Sequence, residues 1–300
     1  MQNDKLLHYL HLHFIVFIWG FTAVLGALIS IDAIPLVWYR MLLASGFIFL
    51  FLKFRKINLH FPKKTLALFA IAGLIIALHW LAFFGAIKVG NVSVTLAIMS
   101  TGAFFTSFLE PLFYKRKIVL YEVLFGLLVI VGLYIIFKVE GDYFYGIILA
   151  LTSSFLGALF SVVNGRYTIQ YNASAVSFYE LGFGTLCITI YLAFSGSFTS
   201  EFFQLQPTDW VYLIILASVC TAYAFIASLH VMKWISPYTV MLTINMEPVY
   251  GILLALLLLG ENENMSPQFY YGALIILVTV VANGIVKNRI DRKNRTLEAS

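Results

Sequence analysis

Three hundred residues that are 61% hydrophobic and only 11% charged, with a mean hydropathy of +0.93, exclude an ordinary soluble domain, which runs nearer roughly 45 to 50% apolar and 25% charged. Fourteen acids and nineteen bases cannot coat a water-soluble protein of this size, so the solvent of most of the chain is lipid. Cys187 and Cys220 both lie inside apolar runs, which excludes a disulfide scaffold and leaves them as small buried hydrophobes.

A bilayer core of roughly 30 Å takes about 20 apolar residues in helical form. Charge, Gly and Pro punctuation divides the chain into ten such stretches, predicted at 10–30, 35–52, 65–87, 92–113, 118–137, 143–163, 174–194, 209–231, 237–259 and 269–286. The first reads as a retained span, because its apolar run outlasts a secretory leader and ends without a small-x-small site. The longest outward loop, 195–208, mixes Phe202, Phe203 and Leu205 with Glu201 and ends in Pro207-Thr208-Asp209, which predicts an interfacial loop closed by a helix cap. The tail after Val286 is basic and polar and is expected to fray at the membrane surface.

Lysine and arginine set the orientation. If both termini are cytoplasmic, the cytoplasmic segments hold Lys5, Lys53, Arg55, Lys56, Lys63, Lys64, Lys115, Arg116, Lys117, Arg166, Lys233, Lys287, Arg289, Arg292, Lys293 and Arg295. The opposite loops hold only Lys88 and Lys138. The net charge of +5 is thus a topology signal, and a nucleic-acid partner is not expected.

The chain also repeats itself. Leu25-Gly26-Ala27-Leu28 returns as Leu156-Gly157-Ala158-Leu159, and Trp38-Tyr39-Arg40 aligns with Phe178-Tyr179-Glu180. Leu96 to Lys115 aligns with Leu242 to Glu261, and Gly126 with Gly272. Five helices have been duplicated, and an odd repeat enters the membrane in the opposite sense, the recurring plan of secondary transporters. The fold class expected is therefore an all-α integral membrane protein of ten transmembrane helices in two inverted five-helix repeats, 1–140 and 141–287, with a basic cytoplasmic tail at 288–300. Thr22, Gly26 and Ser30, with Ser153, Gly157 and Ser161, form small-residue stripes that would let helices 1 and 6 pack closely.

Met246-Glu247-Pro248, the Leu259-Gly260-Glu261 ending, Ser266-Pro267-Gln268 and Gly272 resemble the ninth and tenth helices of EamA-type members of the drug/metabolite transporter superfamily, and Ile18-Trp19-Gly20 is similar to that family's opening motif. In the first half Tyr114-Lys115 stands where Gly260-Glu261 stands in the second. The resemblance implies a solute cavity between helices 1, 3 and 4 of one half and 6, 8 and 9 of the other, with helices 5 and 10 peripheral, and it favours export.

A charge in the lipid zone costs about 3 kcal/mol and usually faces a cavity or a partner, so polar residues there carry the functional argument. In helix 2, Arg40 could snorkel outward, clamp a substrate carboxylate or act as a gate paired by the duplication with Glu180 of helix 7, and Tyr39 and Tyr179 accompany the two. His79 and Trp80 put an imidazole and a large ring in helix 3, and Ser100 and Thr101 place hydroxyls near the middle of helix 4. Trp19 and Tyr223 are ring candidates for the cavity wall. In helix 9, Glu247 precedes Pro248, which frees the Ile244 carbonyl and should bend or open the helix, with Asn245 nearby. Glu247 then either lines the solute path and takes up a proton or is a hydrogen-bonded structural acid. His8, His11 and His13 have metal-like spacing but no acid or thiol beside them, and are read as interfacial.

No phosphate-binding loop, metalloprotease motif or nucleophile elbow is present, so no cofactor, metal or enzymatic activity is expected. The expected activity is secondary transport across the cytoplasmic membrane of a small amphipathic metabolite such as an amino acid. Multidrug efflux of lipophilic cations is the alternative. A nucleotide-sugar or phosphate-ester exchanger would want several deep basic residues, and an enzyme on lipid-linked substrates would want clustered acids. Oligomeric state is left open.

Overall fold

The computed structural model describes residues 2–115, 120–139, 141–165, 170–231, 243–244 and 246–298. Its helices are α1 (Gln2–Leu28), α2 (Ala33–Phe54), α3 (Lys63–Val89), α4 (Val92–Met99), α5 (Gly102–Tyr114), α6 (Leu120–Val139), α7 (Phe144–Gly165), α8 (Ala173–Phe194), α9 (Pro207–Ala217), α10 (Ala224–Val231), α11 (Glu247–Leu259) and α12 (Pro267–Glu298). Among the described residues eight stretches are long and apolar enough to cross a bilayer: Leu7–Leu28, Ala33–Phe54, Lys63–Val89, Val92–Phe113, Phe144–Asn164, Ala173–Phe194, Pro207–Ser228 and Pro267–Val286. Two more apolar helices, Leu124–Ile136 and Glu247–Leu259, are shorter among the described residues and occupy the fifth and ninth expected spans. Side chains such as Leu112, Leu257 and Phe194 point away from the protein, an arrangement that water would penalise and hydrocarbon does not.

Three of the spans are not simple rods, and each departure has a local cause. The fourth is interrupted between α4 and α5, where the Ser100 and Thr101 hydroxyls donate back to the carbonyls of Ala97 and Ile98 at 2.5 and 2.7 Å and Gly102 follows. Ser154 of α7 meets the break, donating to the Met99 carbonyl at 3.2 Å. A neighbouring helix thus satisfies backbone that the interruption frees. In the ninth span residues 243–244 are helical, Met246 is a turn and α11 restarts at Glu247. Pro248 therefore sits in the first turn of a helix, where its missing N–H has no partner to lose. The eighth span carries a π-helical segment, Ser218–Tyr223, joining α9 to α10.

Around these, α3 is the central post, packed against α7 and α8 and also touching α1 and α2. The small-residue stripes of helices 1 and 6 do not bring those helices together; both receive rings from α3. Gly26 makes room for the Phe84 ring, and a Cβ on Gly157 would lie 3.1 Å from the His79 ring. The fifth and tenth spans, α6 and α12, pair with each other, with Gly132 and Gly272 so close that a Cβ on Gly272 would sit 3.0 Å from the Gly132 carbonyl. The tail expected to fray continues instead as helix to Glu298.

Two faces of the bundle are tied by hydrogen bonds between the halves. On one, Tyr39 Oη donates to the Phe202 carbonyl at 3.2 Å; on the other, Tyr179 Oη donates to the Leu59 carbonyl at 2.7 Å. In the helix start expected at Pro207-Thr208-Asp209, Gln206 occupies the cap position without a side-chain bond, and Asp209 is buried and accepts from the Ser30 backbone N–H at 2.7 Å and from the Ser30 hydroxyl at 2.5 Å. Lys88 Nζ donates to the Ile29 carbonyl beside them. On the same face Glu263 accepts from the backbone N–H groups of Val92 and Ser93 at 3.0 and 2.8 Å, which places a carboxylate on the positive end of α4.

Candidate functional site

Arg40 lies two turns into α2 and is only 3% exposed, enclosed by protein rather than turned to the membrane surface. Its Nε donates to Thr221 Oγ1 at 2.7 Å. The guanidinium carbon lies 3.9 Å from the centre of the Trp80 ring and 5.3 Å from that of Phe84. Trp80 and Phe84 stand four residues apart on α3 and so share one face. A planar, weakly hydrated cation laid on an indole is a favourable buried pair.

Thr221 can serve Arg40 because of the π-segment. Its hydroxyl hydrogen goes to the Leu216 carbonyl at 2.7 Å, five residues back, and that leaves oxygen lone pairs to accept from Arg40. Arg40 Nη1 is buried and has no hydrogen-bond partner among the described residues. An unpaired donor of a buried cation is costly, and in a native protein it marks a place where a ligand or water completes the set.

Glu247 is half-buried at the start of α11, where the Gly20–Gly251 contact brings α1 and α11 together, with the Glu247 carbonyl over Gly20. The His79 ring lies against Gly157, and its Nδ1 is 2.8 Å from the Ser153 carbonyl, an atom that only accepts. Nδ1 therefore carries the hydrogen, and in the neutral ring Nε2 is an acceptor. Trp80 meets Phe225 edge-on with centroids 6.0 Å apart, and Phe225 meets Phe160 at 6.0 Å, which extends an aromatic wall from the guanidinium.

Of the sequence candidates, Arg40 and Trp80 thus meet directly, His79 precedes Trp80 on α3, and Glu247 opens α11 beside α1. Others are used elsewhere. Ser100 and Thr101 bond their own helix, with Thr101 also 2.9 Å from the Ser154 hydroxyl. Tyr39 and Tyr179 tie loops. Glu180 is 1% exposed and accepts from Asn164 Nδ2 at 3.1 Å. Tyr223 is not on an internal wall; it is 41% exposed, with its hydroxyl 2.7 Å from His11 Nε2. Trp19 is partly buried against the main apolar cluster, and Asn245 lies outside the described residues. His13 Nδ1 lies 3.1 Å from the Tyr250 hydroxyl, so two of the three clustered histidines face tyrosines.

Thr221, Phe84 and Phe225 were missed. A signal existed for the first: the offsets of the duplication, 140 to 146 in this part of the chain, carry His79-Trp80 to the neighbourhood of Thr221. No sequence rule predicts that the segment winds as a π-turn, although such turns gather at functional sites.

Comparison with known proteins accords with this architecture. The protein named uncharacterized transporter YdfC of Bacillus subtilis is 21% identical over 229 residues, covering 75% of this chain and 74% of YdfC. An uncharacterized transporter of Archaeoglobus fulgidus is 23% identical over 51% of this chain and 53% of its own. The uncharacterized transporter C22F8.04 of Schizosaccharomyces pombe is 27% identical over 49% of this chain and 39% of its own. A solved crystal structure superposes with a TM-score of 0.65 over 94% of this chain and 98% of that one, at 14% identity, a likeness of fold alone. The model of the EamA-like transporter family matches residues 7–138 and 144–284, nearly the whole chain. This multi-pass membrane protein belongs to the EamA-like transporter family, and with it to the drug/metabolite transporter superfamily.

Proposed function

We propose that this transporter moves a small amphipathic metabolite, such as an amino acid or related zwitterion, out across the cytoplasmic membrane by alternating access. The observation that carries the reading is the buried, unpartnered Nη1 of Arg40. A carboxylate offered to that donor completes its hydrogen bonding and neutralises a charge that the site otherwise holds desolvated. Glu247, at the start of α11 where the ninth span is interrupted, receives the amine of the same solute. Trp80 and Phe225 present apolar rings to the remainder. Glu247 also exchanges a proton with the medium during the cycle, which couples transport to a pH gradient. A lipophilic cation, the competing cargo, would have to sit beside the Arg40 charge, and a nucleotide-sugar diphosphate would meet a single arginine.

The halves 1–140 and 141–287 act as inverted repeats that rock about this site. Family matches over each half support that reading. So do the reciprocal bonds of Tyr39 and Tyr179 to loops of the other half, and the interruption of the fourth and ninth spans at positions the duplication aligns. The basic bias supports cytoplasmic termini. The outward direction rests on the family resemblance.

The test is counterflow in proteoliposomes of a labelled zwitterionic amino acid against its methyl ester, which is a cation of nearly the same shape. Exchange of the zwitterion and not the ester is expected. Movement of the ester or of a lipophilic cation, with the zwitterion left behind, overturns the assignment. Reporter fusions at Lys64, Arg116 and Lys293 should all read as cytoplasmic, and a periplasmic signal at any of them overturns the topology and the inverted repeat together.

A further inference from the structure

The π-segment that holds Arg40 has another side, facing the lipid. Between the last two turns of α2 and α10 runs a groove of about 370 Å³, lined chiefly by Phe47, Ile48, Phe51, Ala222, Ile226 and His230. Its floor is low because alanines, Ala222 and Ala227, stand where larger side chains would fill it. The hydroxyl of Tyr223 in its wall is already engaged with His11. From Ala222 to His230 the wall rises about 12 Å at 1.5 Å per residue, close to half of a hydrocarbon core of roughly 30 Å. The groove therefore spans one leaflet, from just past Thr221 to the membrane surface.

The two ends differ in charge. The deep end stops beside the protein-enclosed Arg40–Thr221 bond. The open end lies where α2 finishes, with Lys53, Arg55 and Lys56 exposed on one side and His230 exposed on the other. A recess that is apolar for the depth of a leaflet and basic at its mouth matches one molecule class in shape and charge. An extended peptide is excluded as the occupant, because its backbone would lie unpaired in hydrocarbon. A zwitterionic solute is excluded because the deep part of the groove offers its charges nothing.

We propose that this groove is a binding site for an anionic phospholipid, with one acyl chain lying between α2 and α10 and the phosphate at the basic end of α2 and His230. The chain would pack on the π-segment from outside while Arg40 bonds Thr221 from inside, so occupancy braces the helix that shapes the solute site. The site is separate from the one assigned to the transported solute, and its existence does not depend on that assignment.

The purified, delipidated full chain is titrated with phosphatidylglycerol and with phosphatidylcholine of identical chains, and bound lipid is counted by native mass spectrometry. One phosphatidylglycerol should be retained about tenfold more tightly than phosphatidylcholine, from the added attraction of the basic cluster. Ile226→Trp, which fills the groove, should abolish that retention, and Lys53→Gln with Arg55→Gln should reduce phosphatidylglycerol to the level of phosphatidylcholine. Equal retention of the two lipids by the parent overturns the proposal, as does parental retention by an Ile226→Trp protein with parental circular dichroism. Should Ile226→Trp not fold, the double variant decides alone, because both of its side chains are exposed; unchanged selectivity there overturns the headgroup site. Displacement of the lipid by the transported zwitterion would overturn it too, by assigning the groove to the solute path.

Discussion

Replacing Arg40 by methionine separates the cost of a buried charge from its use. The side chain loses a desolvated cation–π contact with Trp80, about 2 kcal/mol, and a charge-assisted hydrogen bond to Thr221, about 1.5 to 3 kcal/mol. Against these stands the desolvation of the guanidinium, several kcal/mol for a buried ion and of the order of 1 to 4 kcal/mol recoverable when an apolar residue of similar volume takes its place. Thr221 is not orphaned, because its hydroxyl still donates to Leu216. Methionine is unbranched and fills the slot left over the indole. The terms nearly cancel, and Arg40→Met should stay within about 2 kcal/mol of the parent in stability.

Transport should respond very differently. A ligand carboxylate left without its cation forfeits about 3 to 5 kcal/mol, a loss of roughly a hundred- to several-thousand-fold in solute affinity. The assay pairs thermal unfolding in detergent with counterflow of the labelled zwitterion. Arg40→Lys should also be impaired, because an ammonium cannot lie flat on Trp80 and bond Thr221 and a carboxylate at once. A stable Arg40→Met protein that transports at the parental rate would refute the ligand role. A large loss of stability would refute the balance of terms and make Arg40 a structural charge.

Glu247→Gln should insert and fold as the parent does yet lose flux driven by a pH gradient while keeping some exchange, measured with ionophore-imposed gradients in proteoliposomes; full gradient-driven flux would return the residue to a structural role. Thr221→Val removes the acceptor of a buried guanidinium N–H and should destabilise by about 1 to 3 kcal/mol, with Thr221→Ser close to the parent; equal melting temperatures for Val and Ser would show that the bond carries no weight. Asp209→Asn loses one of two bonds to Ser30 and the carboxylate charge beside Lys88. Labelling of a single cysteine at Thr101, in a background lacking Cys187 and Cys220, should then rise from the Ser30 face of the membrane, and unchanged labelling would show that this contact does not hold the face closed.

The sequence leaves open which way each polar side chain turns. For Arg40 an outward snorkel, a carboxylate clamp and a gate all stand open in the sequence, because depth counted along a helix does not say which way a long side chain turns. What turns it inward is Trp80 and Phe84 on α3, Thr221 on the π-segment and the space Gly26 leaves for Phe84. Pro207-Thr208-Asp209 reads in the sequence only as a local helix start; in the fold Ser30, 179 residues away, offers Asp209 two donors. For Ser100 and Thr101 the sequence leaves open both a place near the solute and a bond to their own helix, and in the fold both donate to carbonyls of that helix.

Composition and periodicity alone determined that the chain lives in lipid and roughly where its spans lie, because transfer of apolar residues into hydrocarbon is a sum over local stretches and needs no knowledge of neighbours. The interruption at Glu247-Pro248 was legible for the same reason, since proline's missing N–H is a property of the residue itself. Which charges meet was decided only by the tertiary structure. A single helix presents Arg40, Trp80, Thr221 or Glu247 in every direction equally well, and only the packing of α3 between α1, α7 and α8, set by small residues on facing helices, brings one guanidinium under an indole and leaves its Nη1 without a partner.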